Sequence, residues 1–423
     1  MAGPDRRPTE ARSVLDAVWR MDAARMVGAL TRYTGDLALA EDVAQEALAE
    51  ALVSWETSGI PKDPVGWLLT VGRRRAVDAF RRRAARDERY ALLARDLDES
   101  GPGPDALFDP EAIGDDVLGL IFTACHPLLS REAAIALTLR VVGGLTTEEI
   151  ARTFFIPVPT IQARITRAKK TLAAAQVPFG VPDAAERPAR LSAVLGVLYL
   201  IFTEGSSASG GANWMRTELA FEALRLMRVL VGSLDGKVLP LNEVYGLLAL
   251  MELTVARFPA RLDTDGRPVL LEQQDRGRWD RTAVVRGRAA LQRAVHVGRG
   301  LGAYGLQASI AECHAVASSV GETDWDRVVL LYEALGRLTP SPVVELNRAV
   351  AVAMASGPAA GLAAVDDLEA QDALRGSYLI PSVRAELLAR LGRTAEARKC
   401  YQRAAELCGN DAEREVLREK AMG

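Results

Sequence analysis

Between Thr160 and Lys170 the sequence TIQARITRAKK carries amide, hydroxyl and cationic side chains at spacings suited to reading the edges of DNA bases. At about 100° per residue, Ile161, Ile165, Ala168 and Leu172 share one face of a helix, and Gln162, Ala163, Thr166, Arg167 and Lys170 share the other. The first face packs and the second is open to a partner. Gln162 and Arg167 have the donor geometry for base edges in a major groove, whereas Arg164, Lys169 and Lys170 suit phosphates, with Thr160 opening the helix. A merely solvated basic helix is the plainer alternative.

A second cationic constellation, WLLTVGRRRAVDAFRRR, begins at Trp67. From Arg73 to Arg89 there are eight arginines against three acids. Leu69, Gly72, Ala76 and Phe80 fall on one side of the wheel, and Trp67, Thr70, Arg74, Asp78 and Arg81 on the opposite one. An aromatic ring among guanidinium groups stacks on unpaired bases while the cations hold the backbone, so Trp67, Thr70, Arg73, Arg74, Arg81 and Arg82 are candidates for single-strand contact. Trp67 folded into a core beside a solvated arginine face fits the same pattern.

Upstream, Ala40, Ala44, Ala47, Leu48 and Ala51 form an apolar face, with Asp42, Gln45 and Glu46 opposite. That acidic stripe fits a protein partner with a basic surface, or simply water.

No nucleophile, base and oxyanion donor cluster in the sequence, so an enzyme is not expected, nor is a cofactor. Cys125–His126 and Cys313–His314 are adjacent pairs whose side chains diverge on a helix, and no four-ligand spacing exists; they read as buried cysteines beside capping or core histidines, and no metal site is expected. EGSSASGG, from Glu204, lacks the G-K-[ST] ending of a phosphate loop and reads as a connection. EQQDRGRWDR, Glu272 to Arg281, reads as a polar network between helices, with a ligand pocket as the alternative.

The elements that position these residues are helical almost throughout, because apolar residues recur at three and four and alternating β-branched runs are missing. Thr146 and Glu149 have capping-box spacing, predicting a short helix, a break near Ile156 to Pro159, and then the Thr160 helix. Asp98 to Asp116, rich in Pro, Gly and acids, reads as a solvated tether, and Val177 to Pro188 carries three prolines and marks a second break. Beyond it, the segments around Gly357 and Gly392 align at a spacing of 35 residues, close to the roughly 34-residue helix-turn-helix period of tetratricopeptide repeats. WDRVVLLY at Trp325 is a weaker third copy, and residues 189–320 predict irregular hairpins.

The chain has 423 residues, 49% hydrophobic and 25% charged, with a net charge of −3, which gives no ground for a general polyanion affinity and confines any nucleic-acid surface to local patches. The N-terminus is polar, the longest apolar run, Leu191 to Phe202, is short for a bilayer, and four cysteines form no C-x-x-C pair. A reduced, cytoplasmic protein without membrane association is the expectation.

In order, these blocks resemble a bacterial extracytoplasmic-function (ECF) sigma factor of the sigma-70 family. GDLALAEDVAQEALAEAL looks like the block that docks on the clamp helices of core RNA polymerase, and WLLTVGRRRAVDAFRRR like the promoter-melting, minus-10-reading block. LSREAAIALTLRVVGGLTTEEIARTFFIPVPTIQARITRAKKTL looks like the domain that reads the minus-35 element and meets the polymerase flap. LYLIFTEGSSAS, PVLLEQQDRGRWDR, ETDWDRVVLLYEAL and PSPVVELNRAVAVAMASGPAAG are similar to the extension of the subgroup carrying a tetratricopeptide-like C-terminal domain. Two departures are Arg74, where many members carry Asn, and a recognition turn, FFIPVPTI, without glycine.

The resemblance implies an all-α chain with sigma region 2 over 14–97, an acidic linker over 98–116, a region 4 helix-turn-helix over 117–176 and a helical-hairpin extension over 185–423. It implies core polymerase and promoter DNA as partners. Asp42, Gln45 and Glu46 would face polymerase; Trp67, Thr70, Arg73, Arg74, Arg81 and Arg82 the minus-10 DNA, with a flipped base held by the loop Ser58 to Pro64. Thr160, Gln162, Ala163, Arg164, Thr166, Arg167, Lys169 and Lys170 would face the minus-35 element. The tether acids Asp98, Glu99, Asp105, Asp109, Glu111, Asp115 and Asp116 would mimic nucleic acid in the basic polymerase cleft, and the extension would pack on the sigma domains and regulate them in cis. The alternatives are a tetratricopeptide-type DNA-binding regulator that is not a polymerase subunit, and a helical scaffold with incidental basic faces.

Overall fold

The computed structural model describes residues 7–84, 110–154, 156–183, 185–207, 214–234, 241–264, 266–371 and 374–422. The tether acids Asp98 to Asp109 and the Ala208 to Gly211 part of the glycine-serine stretch lie outside the described residues. Among the described residues every regular element is helical, apart from one isolated bridge between Leu262 and Pro268. The chain forms two units, one of residues 1–198 and 229–239, the other of residues 199–228 and 240–423.

The first unit opens with α1 (Arg7–Thr34), α2 (Leu37–Ser58) and α3 (Pro64–Ala84). Asp36 starts α2 by accepting the amides of Ala38 and Leu39 at 2.8 and 3.2 Å, after a turn at Gly35 with φ of +67°. Ala40, Ala44, Ala47 and Ala51 are all buried, and these small side chains bring α1 and α2 close together. Asp63 accepts the amide of Gly66 at 3.0 Å, and α3 buries Leu69, Gly72, Ala76 and Phe80.

The unit continues with α4 (Pro110–Ala124), α5 (Arg131–Val141), α6 (Thr147–Phe154) and α7 (Val158–Ala174). The capping box forms as its spacing predicts: the Thr146 amide donates to Glu149 at 2.8 Å, and the Glu149 amide donates to the Thr146 hydroxyl at 3.1 Å. Ile161, Ile165, Ala168 and Leu172 are the buried face of α7. Helix α4 reaches back to Pro110, so the last residues of the acidic stretch are helical; proline suits a first helical turn, and Asp116 is buried against Arg32 at 2.8 Å.

Helix α1 joins the two halves of this unit. A Cβ placed on Gly28 would come 2.9 Å from the Asp116 carbonyl oxygen, so α1 and α4 meet backbone to backbone. The Trp19 indole donates to the Gly144 carbonyl at 2.8 Å.

Helices α8 (Arg187–Ser206) and α9 (Thr217–Leu234) each contain a division between the units. Helix α8 extends beyond the Leu191 to Phe202 run and by length and composition alone could span a bilayer; about half of its residues are buried inside the protein, as in a core helix.

In the second unit, α10 (Asn242–Val255), α12 (Arg281–His296) and α13 (Gly302–Val316) pack around Leu253, Trp279, Ala283 and Leu291, with the four-residue α11 (Phe258–Arg261) and two short 3-10 turns between α10 and α12. From α14 (Trp325–Leu338) the chain becomes an array of hairpins in which α15 (Pro342–Ser356), α16 (Pro358–Ala370), α17 (Leu379–Arg390), α18 (Thr394–Leu407) and α19 (Asp411–Met422) each pack on the next. The 35-residue alignment corresponds to the turns of two hairpins: Gly357 (φ +96°) joins α15 to α16, and Gly392 (φ +74°) joins α17 to α18. A side chain is strained in that backbone region, which is why glycine recurs there.

Candidate nucleic-acid interface

The arginine face of α3 borders a cavity of about 300 Å³ lined by Tyr33, Thr70, Arg73, Arg74, Val77, Asp78 and Arg81. Four of the residues expected at minus-10 DNA are therefore brought together. The Arg73 guanidinium lies 5.2 Å from the Tyr33 ring centre, and Thr70 donates to the Gly66 carbonyl at 2.8 Å. Glu50 of α2 accepts from Arg74 at 2.5 Å and from Arg75 at 2.8 Å; these hydrogen bonds hold its carboxyl below the usual range. The ring, hydroxyl and guanidinium groups suit a flat base with an attached phosphate.

Trp67 and Arg82 stand outside this cavity. Trp67 is half-buried and packs edge-on against Trp55, ring centres 5.6 Å apart, while Arg82 is exposed. The sequence carries no local sign of Tyr33, which arrives from the end of α1 because α1 and α3 pack together.

On α7, Gln162, Thr166, Arg167 and Lys170 are exposed, and Thr160, Ala163 and Arg164 are half-buried. Gln162 accepts a hydrogen bond from the Thr147 hydroxyl at 3.3 Å, and Arg167 leans along its own helix to the Ala163 carbonyl at 3.4 Å. The outward side of the helix is thus open to solvent.

Lys169 takes a different direction. It pairs with Glu41, which is 5% exposed and also accepts from Arg140 at 2.6 Å. Burial pushes the Glu41 carboxyl up, but Lys169 and Arg140 outweigh it and hold the group below its ordinary value. The neighbouring Asp42 and Glu46 are exposed and Gln45 is half-buried, so the acidic stripe reaches solvent. Burial raises the Asp42 carboxyl; Lys169 opposes this, and the negative charges of Glu41, Asp36 and Glu46 reinforce it.

The two cysteine–histidine pairs serve packing. Cys125 is buried 3.3 Å from the Thr138 hydroxyl with its thiol pushed up to about 12 by burial, and His126 accepts the Leu128 amide at 3.1 Å. Cys313 is buried, and the His314 ring packs on Trp325 at 5.2 Å.

A family model described as sigma-70 region 2 matches residues 19–86, and one described as sigma-70, region 4 matches residues 120–172. A third, a family of unknown function (DUF6596), matches residues 190–295. The uncharacterized protein R00370 of Rhizobium meliloti is 42% identical over 396 residues, covering 93% of this chain and 91% of that protein. ECF RNA polymerase sigma factor SigK of Mycobacterium ulcerans is 26% identical over 190 residues, 41% of this chain and 96% of SigK. The probable ECF RNA polymerase sigma factor SigI of Mycobacterium tuberculosis is 27% identical over 175 residues, 41% of this chain and 59% of SigI. No solved structure gives a significant match to the chain.

Proposed function

Because the chain belongs to the sigma-70 family, as an ECF sigma factor of RNA polymerase with a C-terminal helical extension, we propose that it reads its promoter through the two faces of its first unit. The Thr70, Arg73, Arg74 and Arg81 cavity takes an unpaired minus-10 base, and Gln162 and Arg167 read the minus-35 element in the major groove, with Arg164 and Lys170 on phosphates. Asp42, Gln45 and Glu46 meet the clamp helices of core polymerase, and region 4 meets the flap. Region 2 spans 14–97, the linker 98–116, region 4 117–176 and the extension 185–423. Polymerase performs the nucleotidyl chemistry.

The observation that carries this reading is that both cationic reader faces remain open on one unit whose apolar faces are buried. Purified protein added to core polymerase on selected promoter fragments tests it: promoter-specific transcripts are expected. DNA binding by the isolated chain without specific transcription would favour an operator-binding regulator instead.

The extension controls this activity in cis; its covalent fusion and repeat-like helices support that reading. Two truncations, ending at residues 184 and 239, test it. The shorter removes Leu191, Val194 and Leu195, each at most 3% exposed, so it damages the first unit, whereas the longer retains them. A several-fold change in promoter-specific transcription with the longer truncation is expected; output equal to that of the full chain would exclude control in cis.

A further inference from the structure

Within the second unit, a cavity of about 450 Å³ opens between the segment after α11 and helices α15, α17 and α19. Its volume falls in the range of small-molecule sites, and its wall is mostly apolar, with Val350, Val383, Leu387 and Leu417 beside Trp214 and Trp325.

The charged groups facing it are of two kinds. Lys420 is paired with Glu386 at 2.8 Å, Arg390 is paired with Glu272 and, at 3.7 Å, with Glu386, and Glu413 accepts from the Tyr378 hydroxyl at 2.9 Å. Arg257 and Arg261 instead have no carboxylate partner among the described residues. There the only hydrogen bond from the Arg257 side chain goes to Gln274 Oε1 at 3.4 Å. The Arg261 Nε is fully buried with no hydrogen-bond partner among the described residues, and its guanidinium lies 4.5 Å from the Trp214 ring centre.

Burial pulls both guanidiniums down to about 10, with Arg257 lowered further by the charges of Arg261 and Arg276, so both are still cationic at neutral pH. Largely buried cations without counter-charge are costly, and both guanidiniums line the cavity. The lining therefore has four cations against three carboxylates, which leaves one positive charge to be met. A phosphate dianion would overshoot that balance next to Glu272, Glu386 and Glu413, and the apolar wall favours a ligand with a hydrocarbon or aryl body.

We propose that this cavity binds a small organic monocarboxylate, with its carboxylate on Arg257 and Arg261 and its apolar body between Trp214, Trp325 and the aliphatic wall. A guanidinium fork matches a carboxylate in two-point geometry. The site is independent of promoter reading, so it stands or falls separately.

The full-length chain is titrated with decanoate and indole-3-acetate, and with decanol and inorganic phosphate as controls, by calorimetry and by the shift in thermal midpoint. At least one carboxylate is expected to bind and to raise the midpoint, with decanol and phosphate at least about tenfold weaker and Arg261→Met losing at least about tenfold in affinity. The proposal is overturned if neither carboxylate binds, if decanol or phosphate matches the better carboxylate, or if Arg261→Met binds unchanged. Should Arg261→Met fail to fold, the comparison of carboxylate with alcohol on the unaltered chain decides alone.

Discussion

Glu41 and Arg140 meet at 2.6 Å across 99 residues of sequence, with Lys169 completing the contact from α7. Helix α2 and the helix-turn-helix are thereby fastened through one buried carboxylate. Glu41→Ala would leave two cations without their counter-charge and is expected to destabilise the first unit by about 3 kcal/mol, read by denaturant unfolding. Because the folded carboxyl titrates below its ordinary 4.5, the stabilisation is full above that value and fades as pH falls through the folded pKa. Acid unfolding of the Ala variant should be correspondingly less steep; an unchanged acid limb would mean that the contact contributes nothing.

Arg167 stands exposed on the outward side of α7, so its replacement should spare the fold. Arg167→Ala is expected to cost about 1 to 3 kcal/mol in promoter binding at fixed salt and to relax preference at one base pair, while Lys170→Ala weakens binding evenly across sequences and lowers the salt dependence. Footprinting on promoter variants checks both. Equal loss at every sequence would reassign Arg167 to the phosphates.

The hairpin of α15 and α16 leaves no room at Gly361: a Cβ there would come 2.4 Å from the Ala353 Cβ and 2.8 Å from the Ala349 carbonyl oxygen. Gly361→Ala should destabilise the second unit by about 1 to 3 kcal/mol, and Ala353→Gly in the same chain should recover part of the loss, measured by thermal melting.

His314 is pulled down to about 4 by burial, aided by the charges of Arg257 and Arg276. Below the ordinary 6.5 the unfolded chain binds a proton that the folded one refuses until about 4, so stability drops across that window as pH falls. His314→Gln should flatten the melting temperature of the second unit between those pH values; an identical slope would show that other groups govern it.

Local pattern made much of this legible. The all-α class follows from apolar spacing, the α6 start from Thr146 and Glu149, and the buried faces of α3 and α7 from the helical wheel. These depend on neighbours within a few residues. Partners brought together by tertiary packing left no such trace: Tyr33 beside Arg73, Lys169 turned inward to Glu41, and Asp116 buried against Arg32. The polar stretch from Glu272 to Arg281 shows the same limit. Gln274, Arg276 and Asp280 bond to backbone groups of Val269, Ala317 and Ala283 as a polar network, but Arg257 and Arg261, from the preceding turn of chain, bring charge without a counter-ion among the described residues.

The bare contact of Gly28 with Asp116 offers an uncharged handle on the first unit. A single methyl group at that position would act as a wedge between α1 and α4, prising helices apart while the exposed side chains of α3 and α7 kept their chemistry. Asp116 also pairs with Arg32 across the same two helices, so the loss on Gly28→Ala at high salt, where that pair is screened, measures how much shape alone holds the two halves of the first unit together.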